Sequence, residues 1–271
     1  MGLIDRRVEV KTPEQIRVMR RAGIIVGETL ELLRGAVAPG VTTLDLDMLA
    51  EEHIRARGAT PNFLGYHGFP ATICTSVNDE VVHGIPSDRV LKTGDLVSID
   101  CGAIVDGWHG DAAITVPVGE VGPELQELMR VCEESLWRGM AAASLGGRVT
   151  DISFAIESYV RAQGHYGVIE DYVGHGIGSA MHMPPSVPNY GRPGKGPKVV
   201  PGMALAVEPM LTLGGIDTHV LADDWTVVTD DGAWSAHFEH SFTVTPAGTM
   251  VLTELDGGAA KLASLGVACA A

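Results

Sequence analysis

Basic residues and paired cysteines are scarce in this chain of 271 amino acids. Lysine and arginine total 19 against 34 acidic residues, and the net charge of −15 disfavours a broad nucleic-acid-binding surface. The four cysteines form no Cys-x-x-Cys pair, so we expect reduced thiols and not a thiolate-held structural zinc.

Long apolar runs are also missing. Hydrophobic residues make up 45% of the chain, yet no stretch approaches the ~18 continuous apolar residues of a membrane-spanning helix. The amino-terminal segment MGLIDRRVEVKTPEQ lacks the apolar core of a secretory signal. We therefore expect a cytoplasmic protein with no membrane partner.

The pattern of the chain predicts an α/β (α+β) protein. No linker divides it, so we interpret residues 1–271 as one domain with a core at about 12–253. Thr12, Pro13 and Gln15 are typical of a helix start. The Gly- and Pro-rich segment 183–202 is predicted to be a loop, and the Ala-rich tail 257–271 permits a short helix or disorder. Helices are predicted from Pro13, at 43–57, from Pro123 and at 150–163, and strands at 71–77, 95–101, 111–116, 204–211, 225–229, 241–245 and 250–253.

Four carboxylates and one imidazole stand out as candidate metal ligands. Such an oxygen-rich set suits two divalent cations, which indicates a two-metal hydrolase. The residues are Asp100, Asp111, His175, Glu208 and Glu239.

The first two acids flank a predicted hairpin. Asp106-Gly107 is typical of a two-residue turn, and centring the turn there places Asp100 opposite Ala113. Asp111 then shares the face of Asp100, and both carboxylates can reach one ion. The alternative is a pair of solvated acids on an exposed hairpin.

An internal repeat favours the metal site. An acid follows a glycine by six residues in both GDLVSID and GMALAVE, which end at Asp100 and Glu208. DAAITV and EHSFTV, which begin at Asp111 and Glu239, form a second matching pair. Repeats of this kind predict two similar halves whose acids converge on one central site.

In this order the motifs resemble those of the type I methionine aminopeptidases, over about residues 12–253. They are YHGFP, VNDEVVHGIP, IDCGAIVDGWHGDAAIT, GHGIG, MHMPP, PGMALAVEPM and EHSFTVT. The resemblance implies the pita-bread fold, two pseudo-symmetric halves with a central antiparallel sheet covered by helices. It also implies hydrolytic removal of the initiator methionine from nascent polypeptides when the second residue is small, through attack by a metal-activated hydroxide.

The resemblance also assigns roles within the site. Asp111 and Glu239 would bridge two divalent ions (Co, Mn, Fe or Zn), Asp100 would complete one ion, and His175 with Glu208 the other. Glu208 is also the candidate for moving a proton to the leaving amine. His83 and His182 would have catalytic roles and contact the substrate, with His182 as the oxyanion donor. The resemblance further implies a monovalent cation site at Asn78 and Ser235. It also implies a methionine pocket, formed by Phe63, Tyr66, Phe69, Cys74, Met181 and Trp225.

Three other interpretations compete with this one. Xaa-Pro aminopeptidases and prolidases use the same five ligands but usually carry a long amino-terminal domain, whereas 82 residues precede His83 here. A non-catalytic binding protein on this fold would typically have lost ligands. The run from Gly174 to Gly178 is a weak partial match to a dinucleotide-binding loop. We expect a monomer with no specific nucleic-acid partner, although the basic residues between Arg6 and Arg21 could contact ribosomal RNA.

Overall fold

The computed structural model describes residues 8–270 of the chain, and local signals determine where its helices begin. Thr12 Oγ1 accepts a hydrogen bond from the backbone N–H of Gln15 (3.3 Å), and the Gln15 side chain accepts one from the Thr12 N–H (2.8 Å). This capping box, followed by Pro13, begins the first helix as predicted. Thr42 and Asp45 begin the second helix in the same way. The helices are α1 (Pro13–Ala36), α2 (Thr43–Ala56), α3 (Pro123–Ala142), α4 (Val149–Gln163) and α5 (Ala259–Ser264).

Fifteen strands lie in the described part of the chain. They are β1 (Thr60–Pro61), β2 (Ile73–Val77), β3 (Glu80–Val82), β4 (Leu96–Val105), β5 (Trp108–Pro117), β6 (Gly167–Val168), β7 (Gly174–Gly176), β8 (Met183–Val187), β9 (Ala204–Val207), β10 (Met210–Thr212), β11 (Thr218–Val220), β12 (Val227–Thr229), β13 (Ser235–His237), β14 (Glu239–Thr245) and β15 (Gly248–Val251).

Nine of these strands form a central antiparallel sheet. Its order is β1-β4-β5-β14-β9-β7-β8, with β2 also paired to β4 and β15 paired to β14. The strands β13-β10-β6 and β11-β12-β3 form two smaller sheets. The central sheet pairs β5 with β14, two strands that lie more than 120 positions apart in the chain.

The two halves predicted from the repeat meet at this pair. β4 and β5 come from the first half, and β9 and β14 from the second. Helix α1 packs on β4 and β5, and helix α3 packs on β9, β13 and β14. The predicted fold, a central antiparallel sheet covered by helices in two related halves, is confirmed.

Helix α1 approaches β5 closely because glycine faces glycine there. A Cβ on Gly110 would lie 2.8 Å from the backbone nitrogen of Gly23. A Cβ on Gly23 would itself lie 2.0 Å from the carbonyl oxygen of Leu252. A side chain at either position would therefore push the helix off the sheet that carries the candidate site.

Two predicted elements differ from the observed ones. Segment 183–202 is not wholly a loop, because Met183–Val187 pairs with β7 as a strand. The predicted strand 204–211 is interrupted after Val207, since Pro209 has no N–H to continue the sheet hydrogen bonds. In the tail a short helix forms, and the backbone of Cys269 pairs with that of Thr249 in an isolated parallel β-bridge. Among the described helices, none is long and apolar enough to cross a membrane.

Candidate active site

The hairpin of β4 and β5 positions Asp100 and Asp111. Both turn residues, Asp106 (φ 49°) and Gly107 (φ 79°), have the positive φ that a tight hairpin turn requires. Asp100 lies opposite Ala113, and Asp111 lies opposite Gly102, as predicted. Both acids therefore project from one face of the sheet.

The second half brings the other three residues to the same place. Glu208 follows the last residue of β9, and Glu239 begins β14 opposite Ala113. His175 lies in the middle of β7, and one ligand atom each from Asp111, His175 and Glu239 lie within 4.8 Å of one another. Glu208 Oε1 lies 3.6 Å from His175 Nε2. All five predicted ligands are thus brought together.

Burial makes this cluster electrostatically unusual. Loss of water contact raises the pKa of Asp100 to about 7. Burial and the neighbouring Asp100 raise the pKa of Glu208 to about 8. The pKa values of Asp111 and Glu239 are also raised, first by burial and then by the other carboxylates. Such a group can ionise together only when positive charge lies among its oxygens.

The donor atoms of the cluster suit divalent cations. Asp100 Oδ1, Asp111 Oδ1 and Glu239 Oε1 are buried and have no hydrogen-bond partner among residues 8–270. Burial, together with the nearby His182, lowers the pKa of His175 to about 3, so this imidazole is neutral and has a lone pair to offer. Orphaned carboxylate oxygens and a neutral imidazole are the expected ligand set for hard or intermediate metal ions.

Two further histidines border the cluster, as predicted. His182 stacks edge-on against His175 with the ring centres 4.3 Å apart, and its Nδ1 lies 2.9 Å from the Tyr66 hydroxyl. His83 lies against Tyr172 and Trp225 (5.5 and 6.2 Å between ring centres). Burial lowers the pKa of both histidines, with His182 adding to the shift of His83, whose pKa falls to about 4.

The six residues predicted to form a methionine pocket lie together in an apolar recess. Phe63, Phe69, Cys74 and Met181 form one buried cluster, with Tyr66 and Trp225 packed against it. The Phe69 and Trp225 rings meet edge to face at 5.0 Å between centres. One cavity of about 300 Å³ is lined by all six pocket residues, by His83 and His182, and by the five predicted ligands.

Sequence and structure comparisons agree with this geometry. Residues 17–246 match the model of metallopeptidase family M24. A methionine aminopeptidase from Clostridium acetobutylicum is 54% identical over 245 residues, which cover 90% of this chain and 98% of the relative. The chain belongs to the methionine aminopeptidases of family M24. Its resemblance to the type I enzymes is confirmed.

Solved structures separate this family from its neighbours on the same fold. The crystal structure of methionine aminopeptidase from Thermotoga maritima superimposes with a TM-score of 0.90 at 42% identity and covers 92% of this chain and 100% of that chain. The Xaa-Pro dipeptidase from Bacillus anthracis reaches a TM-score of only 0.72 at 25% identity, and this chain covers 61% of its length. The methionine aminopeptidase assignment is therefore favoured over the prolidase alternative.

In this methionine aminopeptidase family member, the glycine-rich segment 174–178 is not a dinucleotide-binding loop. Gly174–Gly176 is strand β7, and the chain continues to strand β8 at Met183 without an intervening helix. A dinucleotide-binding loop requires a strand followed directly by a helix. The third glycine, Gly178, instead makes room for Glu9 and Lys11, whose side-chain atoms lie where its Cβ would be.

The residues predicted for a monovalent cation do meet. Ser235 Oγ lies within hydrogen-bond distance of the Asn78 and Glu80 carbonyl oxygens (3.3 and 2.9 Å). The Asn78 side chain is itself bonded to Asp95 and to the Leu96 N–H. The cation site stays a prediction.

Sequence reasoning missed several residues around the site. Asp171, Tyr172 and Val173 line the cavity, and their position just before the GHGIG motif was the only local signal. His237 was not among the predicted site residues, yet its Nε2 lies 3.9 Å from Glu208 Oε2 and 3.9 Å from Glu239 Oε2. Its place two residues before Glu239 in the sequence was the available signal.

Proposed function

We propose that this methionine aminopeptidase family member removes the N-terminal methionine of nascent polypeptides when the second residue is small. The observation that carries the proposal is the single cavity, which joins an apolar recess to five candidate metal ligands. Aromatic walls and Met181 suit a thioether, because sulfur–ring contacts contribute about 0.3–1.5 kcal/mol each. A methionine side chain in this recess would place its own peptide bond beside the carboxylate cluster.

Two divalent metal ions are proposed to occupy the cluster. By family resemblance Asp111 and Glu239 would bridge them, Asp100 would complete one, and His175 with Glu208 the other. Such ions, when bound, lower the pKa of a water and polarise a peptide carbonyl. The orphaned oxygens of Asp100, Asp111 and Glu239 support this placement.

The remaining chemistry is proposed for side chains of the chain itself. Glu208, whose carboxylate lies at the end of β9, would accept a proton from the attacking water and deliver it to the leaving amine. His182 would donate from Nε2 to the oxyanion, because a Tyr66 hydroxyl that donates to Nδ1 leaves the ring proton on Nε2. His83, neutral at pH 7 because its pKa is about 4, would orient the scissile amide.

The setting of this activity is proposed from the remaining features. We place residues 1–271 in one cytoplasmic catalytic domain that acts as a monomer, in keeping with four free cysteines. Ribosome contact through the basic residues from Arg6 to Arg21 is a weaker proposal. Within the described residues, Arg17 pairs with Glu14, and Arg21 pairs with Asp106. Arg6 and Arg7 lie outside the described residues.

The test is peptide cleavage by chelator-stripped protein to which Mn²⁺, Fe²⁺, Co²⁺ or Zn²⁺ is returned. All four metals accept oxygen and imidazole ligands, so each is titrated separately. The peptides Met-Ala-Ser and Ala-Pro-Ser are compared directly. Metal-dependent release of methionine from Met-Ala-Ser alone is expected. Cleavage only before proline would move the chain to the prolidase function, and no cleavage with any metal would indicate a binding protein.

A further inference from the structure

His237 is a buried histidine with no role in the function proposed above. Its side chain is 2% exposed, and its Nε2 has no hydrogen-bond partner among residues 8–270. Leaving a buried polar group unpaired costs about 1–3 kcal/mol in typical proteins, so an orphaned ring nitrogen calls for a partner.

Two carboxylate oxygens close to this nitrogen belong to proposed metal ligands. Nε2 lies 3.9 Å from Oε2 of Glu208 and 3.9 Å from Oε2 of Glu239. A rotation of either carboxylate that shortens the gap by about 1 Å would make a normal N–H···O hydrogen bond. The imidazole nitrogen is thus within reach of both carboxylates.

The imidazole is on the outer side of the carboxylates. All five proposed ligands line the central cavity, whereas His237 is not among its lining residues. Glu208 turns its Oε1 atom towards His175 and its Oε2 atom towards His237. His237 therefore approaches the Glu208 oxygen that is not turned towards His175.

The backbone of His237 is hydrogen-bonded to β5, a strand from the first half of the chain. Its N–H donates to Thr115 Oγ1 (2.9 Å), and the same hydroxyl donates to its carbonyl oxygen (2.8 Å). Thr115 lies on β5, the strand that carries Asp111, and is also bonded to Ser98 Oγ on β4 (2.9 Å). The backbone that carries the imidazole is therefore the end of a strand bonded to β5 and not part of a loop.

We propose that His237 is a positioning residue of the metal site, which donates its Nε2–H to the outer oxygens of Glu208 and Glu239. The inference rests on the metal site proposed above. Partners of this kind hold a ligand carboxylate in the orientation that presents its other oxygen to the metal, and their removal costs about 10- to 100-fold in metal affinity. His237 would do so for one bridging carboxylate and one terminal carboxylate at once.

The test measures metal binding by calorimetry on chelator-stripped protein, with Mn²⁺ or Co²⁺ as the probe. His237→Leu removes the donor, and His237→Gln keeps an N–H in a side chain of similar reach. We expect the Leu variant to bind about 10- to 100-fold more weakly and the Gln variant to stay within about threefold of the parent. His240→Leu is the matched control, since His240 is a largely buried histidine, 13% exposed, that is bonded to Thr253 and packed on Trp137 and does not line the cavity.

Thermal unfolding and circular dichroism establish that each variant is folded before its affinity is compared. A folded Leu variant that binds metal as tightly as the parent would refute the role of His237. Equal losses in the Leu and Gln variants, or in the His240→Leu control, would refute it as well. If the parent protein itself binds no metal, the proposed metal site fails first.

Nitrogen couplings in electron spin-echo spectra of the Mn²⁺- or Co²⁺-loaded protein separate a positioning role from direct ligation. One coordinated imidazole, that of His175, is expected in the parent and in His237→Leu alike. Loss of a second nitrogen coupling in the Leu variant would make His237 a metal ligand and overturn the inference.

Discussion

The hydrogen bond between Tyr66 and His182 gives a sharp prediction about the tetrahedral intermediate. The Tyr66 hydroxyl lies 2.9 Å from Nδ1 of His182. Burial and the Asp111 carboxylate raise the pKa of Tyr66, so the phenol keeps its proton. Burial and His67 lower the pKa of His182, so the imidazole is neutral. The phenol can then donate to Nδ1 and hold the ring proton on Nε2, where the oxyanion needs it.

The change Tyr66→Phe removes this bond and leaves the ring in place. A neutral hydrogen bond contributes about 0.5–1.5 kcal/mol net, which corresponds to about a 2- to 13-fold loss of kcat. His182→Ala removes the oxyanion donor itself and should lower kcat by about 10²- to 10³-fold while both metals stay bound. The smaller loss in Tyr66→Phe reflects an effect that acts through His182.

The assay is steady-state cleavage of Met-Ala-Ser by the metal-loaded variants. We expect Tyr66→Phe to lower kcat with KM unchanged, because the phenyl ring still forms the pocket wall. Tyr172→Phe is the matched control. Tyr172 lines the same cavity and faces the ring of His83, and its hydroxyl makes no hydrogen bond within residues 8–270.

The double variant Tyr66→Phe/His182→Ala supplies the decisive comparison. If Tyr66 acts through His182, its removal should have no further effect once the imidazole is gone, and the coupling should equal the single-variant loss. A loss of kcat that persists in the His182→Ala background would refute the reasoning. A rise in KM alone would assign Tyr66 to methionine binding.

Three further predictions concern the metals, the packing of α1 and the response to acid. Asp111→Asn should weaken metal binding by at least about 100-fold, since it alters a proposed bridging ligand directly; two tightly bound metals in that variant would refute the bridging role. Gly23→Ala should destabilise the fold by about 1–3 kcal/mol because its Cβ would lie 2.0 Å from a backbone oxygen, whereas Gly35→Ala on the same helix meets nothing within 4 Å and should be neutral or stabilising. Similar urea midpoints for the two variants would contradict this packing. Burial lowers the pKa of His240 to about 4 from an ordinary 6.5, so the unfolded chain takes up the proton first as the pH falls. The contribution of neutral His240 to the free energy of unfolding is therefore present above pH 6.5 and is lost as the pH falls towards 4. About 2 kcal/mol of it is lost by pH 5. His240→Gln should therefore lose less unfolding free energy than the parent between pH 7 and pH 5, and equal pH slopes would contradict the assignment.

Much of the site was predictable from local sequence patterns. The Asp106-Gly107 turn and the two-residue period of a strand fix the register of β4 and β5, and with it the shared face of Asp100 and Asp111. The repeat carries the same logic to Glu208 and Glu239. Both inferences use only neighbours along the chain and a symmetry visible in it.

Only the tertiary structure decided which distant side chains meet around those ligands. The contact of Tyr66 with His182 joins residues 116 positions apart, and nothing in either local sequence encodes it. His237 reaches Glu208 because β13 lies beside β10 and the chain then turns into β14. Sequence periodicity determines the face on which a residue lies, whereas the packing of separate strands and helices determines which residue it faces. The five proposed metal ligands were therefore visible in the sequence, whereas the side chains proposed to orient the site were not.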